Sequence, residues 1–323
     1  MNYHTFAYSV PGLKYTSKGF PMQDAAKVYE TSNMKIIAIA DGHGSPDCFL
    51  SQVGAQIAVD TAIEEVKRYF AEGEDCVNDT AIRNFKSALW NKWREQVKAD
   101  FENRFQSVSS WEESEVRYKS VSEKYKARYT SDDESIREQY LYRAYGTTLI
   151  LALHIGSLLF LAQVGDGSCV VIAKNGEFSA PIPPDADNFL NVSFSLCEVN
   201  SENADEKIRT KTINYKDYED TEFAPVAIFL SSDGLDDCYP YENNSIYLYK
   251  YVYSILLRYI EKKGYIETEK EARENLLSYM TNRGSKDDIS LAWFITDNDD
   301  LIKEVNKNIS DYLDTLQDKA VDL

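Results

Sequence analysis

Four aspartates of this sequence share one local pattern. Asp41, Asp166, Asp233 and Asp287 each stand where a short apolar run meets a turn containing glycine or serine. The clearest case is Lys35-Ile36-Ile37-Ala38-Ile39-Ala40-Asp41-Gly42-His43-Gly44. Its apolar run reads as a buried strand, and it ends in a carboxylate, two glycines and an imidazole. The others are Gly165-Asp166-Gly167, Ser231-Ser232-Asp233-Gly234 and Ser285-Lys286-Asp287-Asp288. Carboxylates at the edge of a low-dielectric core repel one another and raise each other's pKa. Hard divalent cations relieve that repulsion. Carboxylates, a main-chain carbonyl and water make an oxygen-only shell that suits Mg²⁺ or Mn²⁺ better than zinc. Gly42 lets the backbone approach closely enough for its carbonyl to serve as a ligand. Two such ions, roughly 3.5–4 Å apart, can turn a shared water into a nucleophile and neutralise phosphoryl oxygens. His43 is the one neighbour able to exchange a proton near neutral pH, which fits it to protonate a leaving alkoxide. Each acid singly has a turn or cap explanation; four of them with a histidine point to a site.

The elements that position these acids follow in chain order. Tyr3 to Val10 reads as a strand stopped by Pro11-Gly12. A loop from Gly12 to Gln23 carries Lys14 and Lys18 and leads to Asp24, at the edge of a second strand. After the glycines, Ser45-Pro46 reads as a helix start, with a cap hydroxyl and proline at the first helical position. Leu50, Val53, Ile57, Ile63, Val66 and Phe70 then recur at roughly helical spacing. Residues 73–140 are helix-like and charge-rich: a core-packed helix with the stripe Phe85, Leu89, Trp93 and Val97, then a more solvated helical arm from Trp111 to Tyr140. That arm reads first as surface decoration and second as a surface for a protein partner. Gly146-Thr147-Thr148 opens a hairpin, Thr148–Ile155 and Leu158–Val164, in which His154 reads as a packed histidine and not a ligand. Lys174 to Glu177 forms a further hairpin turn, and Pro181 to Tyr218 reads as polar loop. A buried strand runs from Pro225 to Leu230. Helices are expected over Ser245–Lys262 and Glu267–Asn282, a strand over Ile289–Ile295, and a closing helix over Asp299–Leu316.

Composition bounds the rest. With 323 residues, 43% of them hydrophobic, the chain can bury a large core, and the absence of a linker or internal repeat favours a single domain over 1–323. Its 53 acidic against 35 basic side chains give a net charge of −18. That argues against nucleic acid and against anionic membrane as partners. Five cysteines without a C-x-x-C pair suggest neither a disulfide framework nor a zinc site, so a reducing cytoplasm is expected. Three histidines exclude a His-rich metal cage. The N-terminus has no basic region followed by an apolar segment, so no signal peptide is expected. The longest apolar region, Leu149 to Val164, is shorter than a membrane span.

Asp41-Gly42-His43-Gly44, Gly146-Thr147-Thr148, Gly165-Asp166-Gly167, Ser232-Asp233-Gly234 with Asp237, and Ser285-Lys286-Asp287-Asp288 occur in the order found in metal-dependent type 2C Ser/Thr protein phosphatases. From Asp24 to about Ile295 the chain resembles a divergent, bacterial-type member of that family. The resemblance implies an α+β fold, a four-layer α-β-β-α sandwich of two central antiparallel sheets flanked by helices. It implies that Asp41 bridges two Mn²⁺ or Mg²⁺ ions, with the Gly42 carbonyl on one and Asp233 and Asp287 on the other. Asp24 would organise metal-bound water, Asp166 and Asp237 would match a third, weaker metal position, and His43 would match the general acid. Residues 181–218 would fall in the variable flap. The expected activity is hydrolysis of phosphoserine or phosphothreonine on a phosphoprotein by attack of a metal-bridging water. The alternatives are a pseudophosphatase, a binding module with the same fold, and a phosphatase of small phosphoesters. The chain departs from the family at Gly19, where an arginine for substrate phosphate is usual, at Gln23, and at Gly165-Asp166-Gly167-Ser168. Lys18, and after it Lys14, are the expected substitutes for the missing cation.

Overall fold

A computed structural model of the chain describes residues 2–104, 116–182, 194–218, 221–240 and 244–321. Ten strands form two five-stranded antiparallel sheets. One sheet has the order β1 (Tyr3–Val10), β10 (Ile289–Thr296), β9 (Pro225–Ser231), β6 (Ser168–Ala173), β7 (Phe178–Ser179). The other has the order β2 (Ala25–Glu30), β3 (Met34–Ala40), β4 (Leu149–Ile155), β5 (Leu158–Val164), β8 (Arg209–Asn214). The expected α+β sandwich is therefore the fold observed.

Strand β3 shows why its sequence is apolar at every position from Ile36 to Ala40. Ile36, Ala38 and Ala40 pack outward against the long helices Ser51–Phe70 and Asp79–Arg104, whereas Ile37 and Ile39 point inward to the layer between the sheets. A strand covered on both faces has no polar face to alternate with. Across the inner layer stand Val171, Ile228, Leu230, Ala292 and Phe294 of the facing sheet. The outer face of that sheet is covered by the helices of residues 244–283 and by Asp299–Val321. No helix among the described residues is long and apolar enough to cross a membrane.

Four expectations change. Residues 45–50 form turns, and the helix begins at Ser51. Asp47 explains this: its carboxylate is taken by the Ser45 hydroxyl and the Arg143 guanidinium, which hold the stretch across the sheet end instead of letting it coil. Second, Arg209–Asn214 is a strand, paired along β5, although Pro181 to Tyr218 read as loop. As a half-exposed edge strand it carries little of the apolar signal that marks a buried one. Residues 183–193 of that stretch lie outside the described residues. Third, the two C-terminal helical stretches each pass through a π-helical turn, Tyr249–Tyr253 and Ala272–Leu276, a feature that residue spacing does not announce. Fourth, the arm expected to be solvated is packed: Tyr118, Val121 and Tyr129 are buried in the same core as the long helices. Residues 111–115 of that arm lie outside the described residues.

His154 is packed as expected, with its ring centroid 4.9 Å from that of Tyr3 and 5.7 Å from that of Tyr215. Its Nε2 has no hydrogen-bond partner among the described residues. Burial, assisted by the Lys35 ammonium, lowers its pKa to about 4, against about 6.5 in an unfolded chain. Between these values the unfolded chain binds a proton that the folded chain does not. The contribution is therefore intact above pH 6.5 and lost as pH falls toward 4. Denaturant titrations at pH 7.5 and 4.5 should show wild type losing about 2 kcal/mol more than His154→Phe; an equal loss in the two proteins would refute the assignment.

Candidate active site

Both sheets deliver acids to the same end of the sandwich. Asp24 precedes β2 and Asp41 follows β3, and the pairing of Ala25 with Ala40 sets these two strand ends side by side. Asp166 follows β5, Asp233 opens a one-turn helix (Asp233–Asp236) after β9, and Asp287 and Asp288 precede β10. Ser231 pairs with both Leu291 and Ser168, so the ends of β9, β10 and β6 converge as well.

The residues between these acids fix the loops that carry them. The Asp41 carbonyl accepts hydrogen bonds from Thr148 N (2.9 Å) and Thr147 Oγ1 (2.9 Å), and Asp41 N donates to Thr148 Oγ1 (3.1 Å). That is the structural work of Gly146-Thr147-Thr148. Gly42 sits where a Cβ would lie 2.5 Å from the Gln23 carbonyl oxygen, so a side chain there would push the two acid-bearing loops apart. Asp288 is a tie between loops: its two oxygens accept from Gly12 N and Gln23 N, each at 2.6 Å.

The electrostatics are those of crowded like charges. Burial, reinforced by Asp24 and Asp233, holds the Asp41 carboxyl well above the usual carboxylate range. Asp233 is pushed up to about 6, by burial first and then by Asp166, Asp237 and Asp287. Asp24 is raised by burial and by Asp288. Both Asp24 oxygens are buried without a hydrogen-bond partner. The Ser232 and Ser290 hydroxyls beside Asp24 oppose that rise; Ser232 Oγ also accepts from Ser290 N, and Ser290 Oγ pairs with Ser9 Oγ.

The crowded carboxyl groups of Asp24, Asp41 and Asp233 are a donor set suited to a hard divalent cation, whose charge would relieve their mutual repulsion. Among the described residues, however, no three carboxylate, imidazole or thiolate side chains converge closely enough to hold an ion between them. The acids are gathered but not closed around one point. One of them is engaged otherwise: Lys14 Nζ lies 2.6 Å from Asp287 Oδ2. Lys18, the first-choice cation, is exposed and makes no ion pair among the described residues. Asp237 is exposed and Asp166 half-buried at the rim. His43 is half-buried; its N–H donates to the Gly146 carbonyl (3.0 Å), and a Cβ at Gly146 would meet its ring at 2.8 Å. Burial lowers its pKa, with Asp166 opposing and Arg143 assisting.

The sequence of residues 12–277 matches the Protein phosphatase 2C family model. The chain belongs to that family. Its fold is shared by PppA, described as a key regulatory component of T6SS in Pseudomonas aeruginosa, at 15% identity, a TM-score of 0.51, and coverage of 91% of this chain and 98% of that one. It is shared equally by the Mycobacterium tuberculosis serine/threonine phosphatase PstP/Ppp, at 13% identity, a TM-score of 0.50, and coverage of 92% and 100%. No curated protein matches the sequence significantly.

Sequence reading did not single out Asp236 or Asp47. Asp236, raised to about 7 by burial, accepts a hydrogen bond from Ser168 Oγ at 2.6 Å. Its signal was present in the run Asp233-Gly234-Leu235-Asp236-Asp237, where three acids compete for one role. Nothing local marks Asp47, because its partner Arg143 lies 96 residues away.

Crowding of this kind predicts a stability cost. The Asp233 pKa of about 6 lies above its unfolded value near 3.9. The folded protein therefore loses stability as pH rises through that interval, and above it carries the full penalty. In EDTA at pH 7.5, Asp233→Asn should be more stable than wild type by about 1–2 kcal/mol, since Asn still offers an oxygen to Asp41. The gain should shrink toward pH 4. A less stable Asp233→Asn protein at pH 7.5 would contradict this account.

Proposed function

We propose that this protein is a phosphatase that hydrolyses phosphoserine or phosphothreonine esters on proteins with the help of Mn²⁺ or Mg²⁺. The observation that carries the reading is the delivery of Asp24, Asp41, Asp166, Asp233 and Asp287, with His43, to one end of two sheets. Asp41, the Gly42 carbonyl, Asp233 and Asp287 would hold two ions, with Asp24 acting through water and Asp166 and Asp237 at a third position. When bound, such ions supply an activated water and neutralise phosphoryl charge. The protein's own part is to keep these oxygens in place, to keep bulk water from screening them, and to present His43 on an anchored loop. From there the protonated imidazole can donate to the oxygen leaving phosphorus. Family membership supports the class of reaction.

The cation for substrate phosphate is then Lys14, the lysine whose ammonium reaches the acid cluster. An ammonium is a point charge on a flexible stem and holds phosphate less firmly than a guanidinium fork. A second reading, a binding module that keeps the fold without turnover, draws support from the same contact. In that reading Lys14 stands in for a cation at Asp287, and the acids remain unclosed. The chemistry of the site does not read a peptide, so small phosphoesters belong in the assay.

Hydrolysis of p-nitrophenyl phosphate and of phosphoserine peptides should depend on added Mn²⁺ or Mg²⁺. Asp41→Asn and Asp233→Asn should lower it by at least about a hundredfold. Turnover in excess EDTA would exclude the proposal, and no turnover with any ion would favour the binding module. His43→Ala should slow a serine phosphoester far more than p-nitrophenyl phosphate, whose phenolate leaves without a proton. Equal losses would make His43 structural. Lys14→Ala should raise KM with kcat little changed, and Lys18→Ala should do neither; the reverse ranking would return the role to Lys18.

A further inference from the structure

The 73–140 insertion reaches the carbonyl of His43 itself through a buried arginine. Arg117 is 2% exposed. Its Nη1 donates to Ser51 Oγ at 2.8 Å, and its Nη2 to the carbonyls of His43 (3.2 Å) and Ser45 (3.3 Å). The guanidinium carbon also lies 5.9 Å from the centre of the Phe20 ring, next to Gly19. Ser51 Oγ in turn donates to Gln23 Oε1 at 3.3 Å, and Gln23 precedes Asp24. One guanidinium thus links the loop after Asp41 to the start of the long helix and to the Asp24 loop.

The loop needs such a link. Residues 43–48 have no helix or strand of their own beyond the bridge at Gly42. Their main-chain amides contribute His43 N to Gly146 O and Cys48 N to Ser45 O. Most of what holds the stretch comes from side chains distant in sequence. Besides Arg117, the Tyr129 hydroxyl donates to the Asp47 carbonyl, and Arg143 binds the Asp47 carboxylate. Arg117 and Tyr129 belong to the insertion, and both are buried.

We infer that Arg117 is a positioning residue for His43, and that the insertion is thereby part of the active-site framework. Arginine suits the task because its donors lie in a rigid planar fork that can serve Ser51 and two carbonyls at once. A lysine cannot reproduce that geometry. Loss of the fork would remove the contacts to both carbonyls and to Ser51 Oγ and leave the loop free to sample other conformations. The inference rests on the phosphatase reading for its kinetic arm, whereas its structural arm stands without it.

The test uses the full chain and the variants Arg117→Lys and Tyr129→Phe, with melting curves to confirm folding. Amide hydrogen exchange over residues 43–48 should quicken about tenfold in Arg117→Lys and less in Tyr129→Phe. With Mn²⁺, Arg117→Lys should lower kcat on a phosphoserine peptide at least about tenfold, with KM nearly constant and p-nitrophenyl phosphate less affected. In the His43→Ala background the same substitution should cost less than about twofold, because the two residues act through one step. Unchanged exchange in both variants would overturn the inference, as would fully additive losses in the double variant. If Arg117→Lys does not fold, exchange in Tyr129→Phe decides alone. If wild type hydrolyses no phosphoester, the phosphatase reading fails, and the exchange result still decides whether the insertion holds the loop.

Discussion

Several carboxylates held at the dry end of a β-sandwich repel one another, and each prefers water to its site. The structure meets that constraint in three ways. Burial and its acidic neighbours raise the Asp41 carboxyl, which weakens its repulsion of Asp233. Asp288 spends its charge on two backbone amides, which convert a repulsive group into a tie between the Gly12 turn and the Asp24 loop. Asp287 takes an ammonium from Lys14. Asp24 has only the Ser232 and Ser290 hydroxyls to set against burial and Asp288, and it marks the place where the arrangement asks most strongly for an external cation.

Rigid delivery is what makes the crowding sustainable. The acids sit at the ends of strands whose side chains are buried on both faces, so none can swing out to water without disturbing the core. The Thr147 and Thr148 contacts to the Asp41 backbone, and the close approach of Gly42 to Gln23, remove the remaining freedom of the loops. A site built this way is preorganised for charge, which is the form of catalysis that phosphoryl transfer mainly requires.

The insertion between β3 and β4 changes how the molecule should be viewed. Its helices bury Tyr118, Val121 and Tyr129 in the same core as the two long helices. From that core Arg117 reaches the carbonyls of His43 and Ser45, so the insertion supports the loop that follows Asp41. A partner surface on the insertion therefore has less room than its charge suggests, since much of its aromatic content already faces inward.

The sequence by itself determined the strands, the acids at their ends and the family. Uninterrupted apolar runs such as Ile36 to Ala40 and Leu149 to Leu153 can only be covered on both faces, and short turn motifs place an aspartate near the ends of several of these strands. These are local signals, with periods and spacings that fit within ten residues. Tertiary structure alone decided which cation meets which acid. Lys14 and Lys18 sit on one loop and look equivalent in sequence, but a single turn of helix directs Lys14 to Asp287 and leaves Lys18 in solvent. It also decided where the first long helix starts, because Asp47 is held by the distant Arg143 as well as by Ser45. Strand β8 was illegible for the opposite reason: an edge strand with one wet face needs no apolar run, and only its pairing with β5 makes it a strand. Arg117 was hidden because a buried guanidinium is recognised by the carbonyls it serves, and those lie more than seventy residues away in the chain.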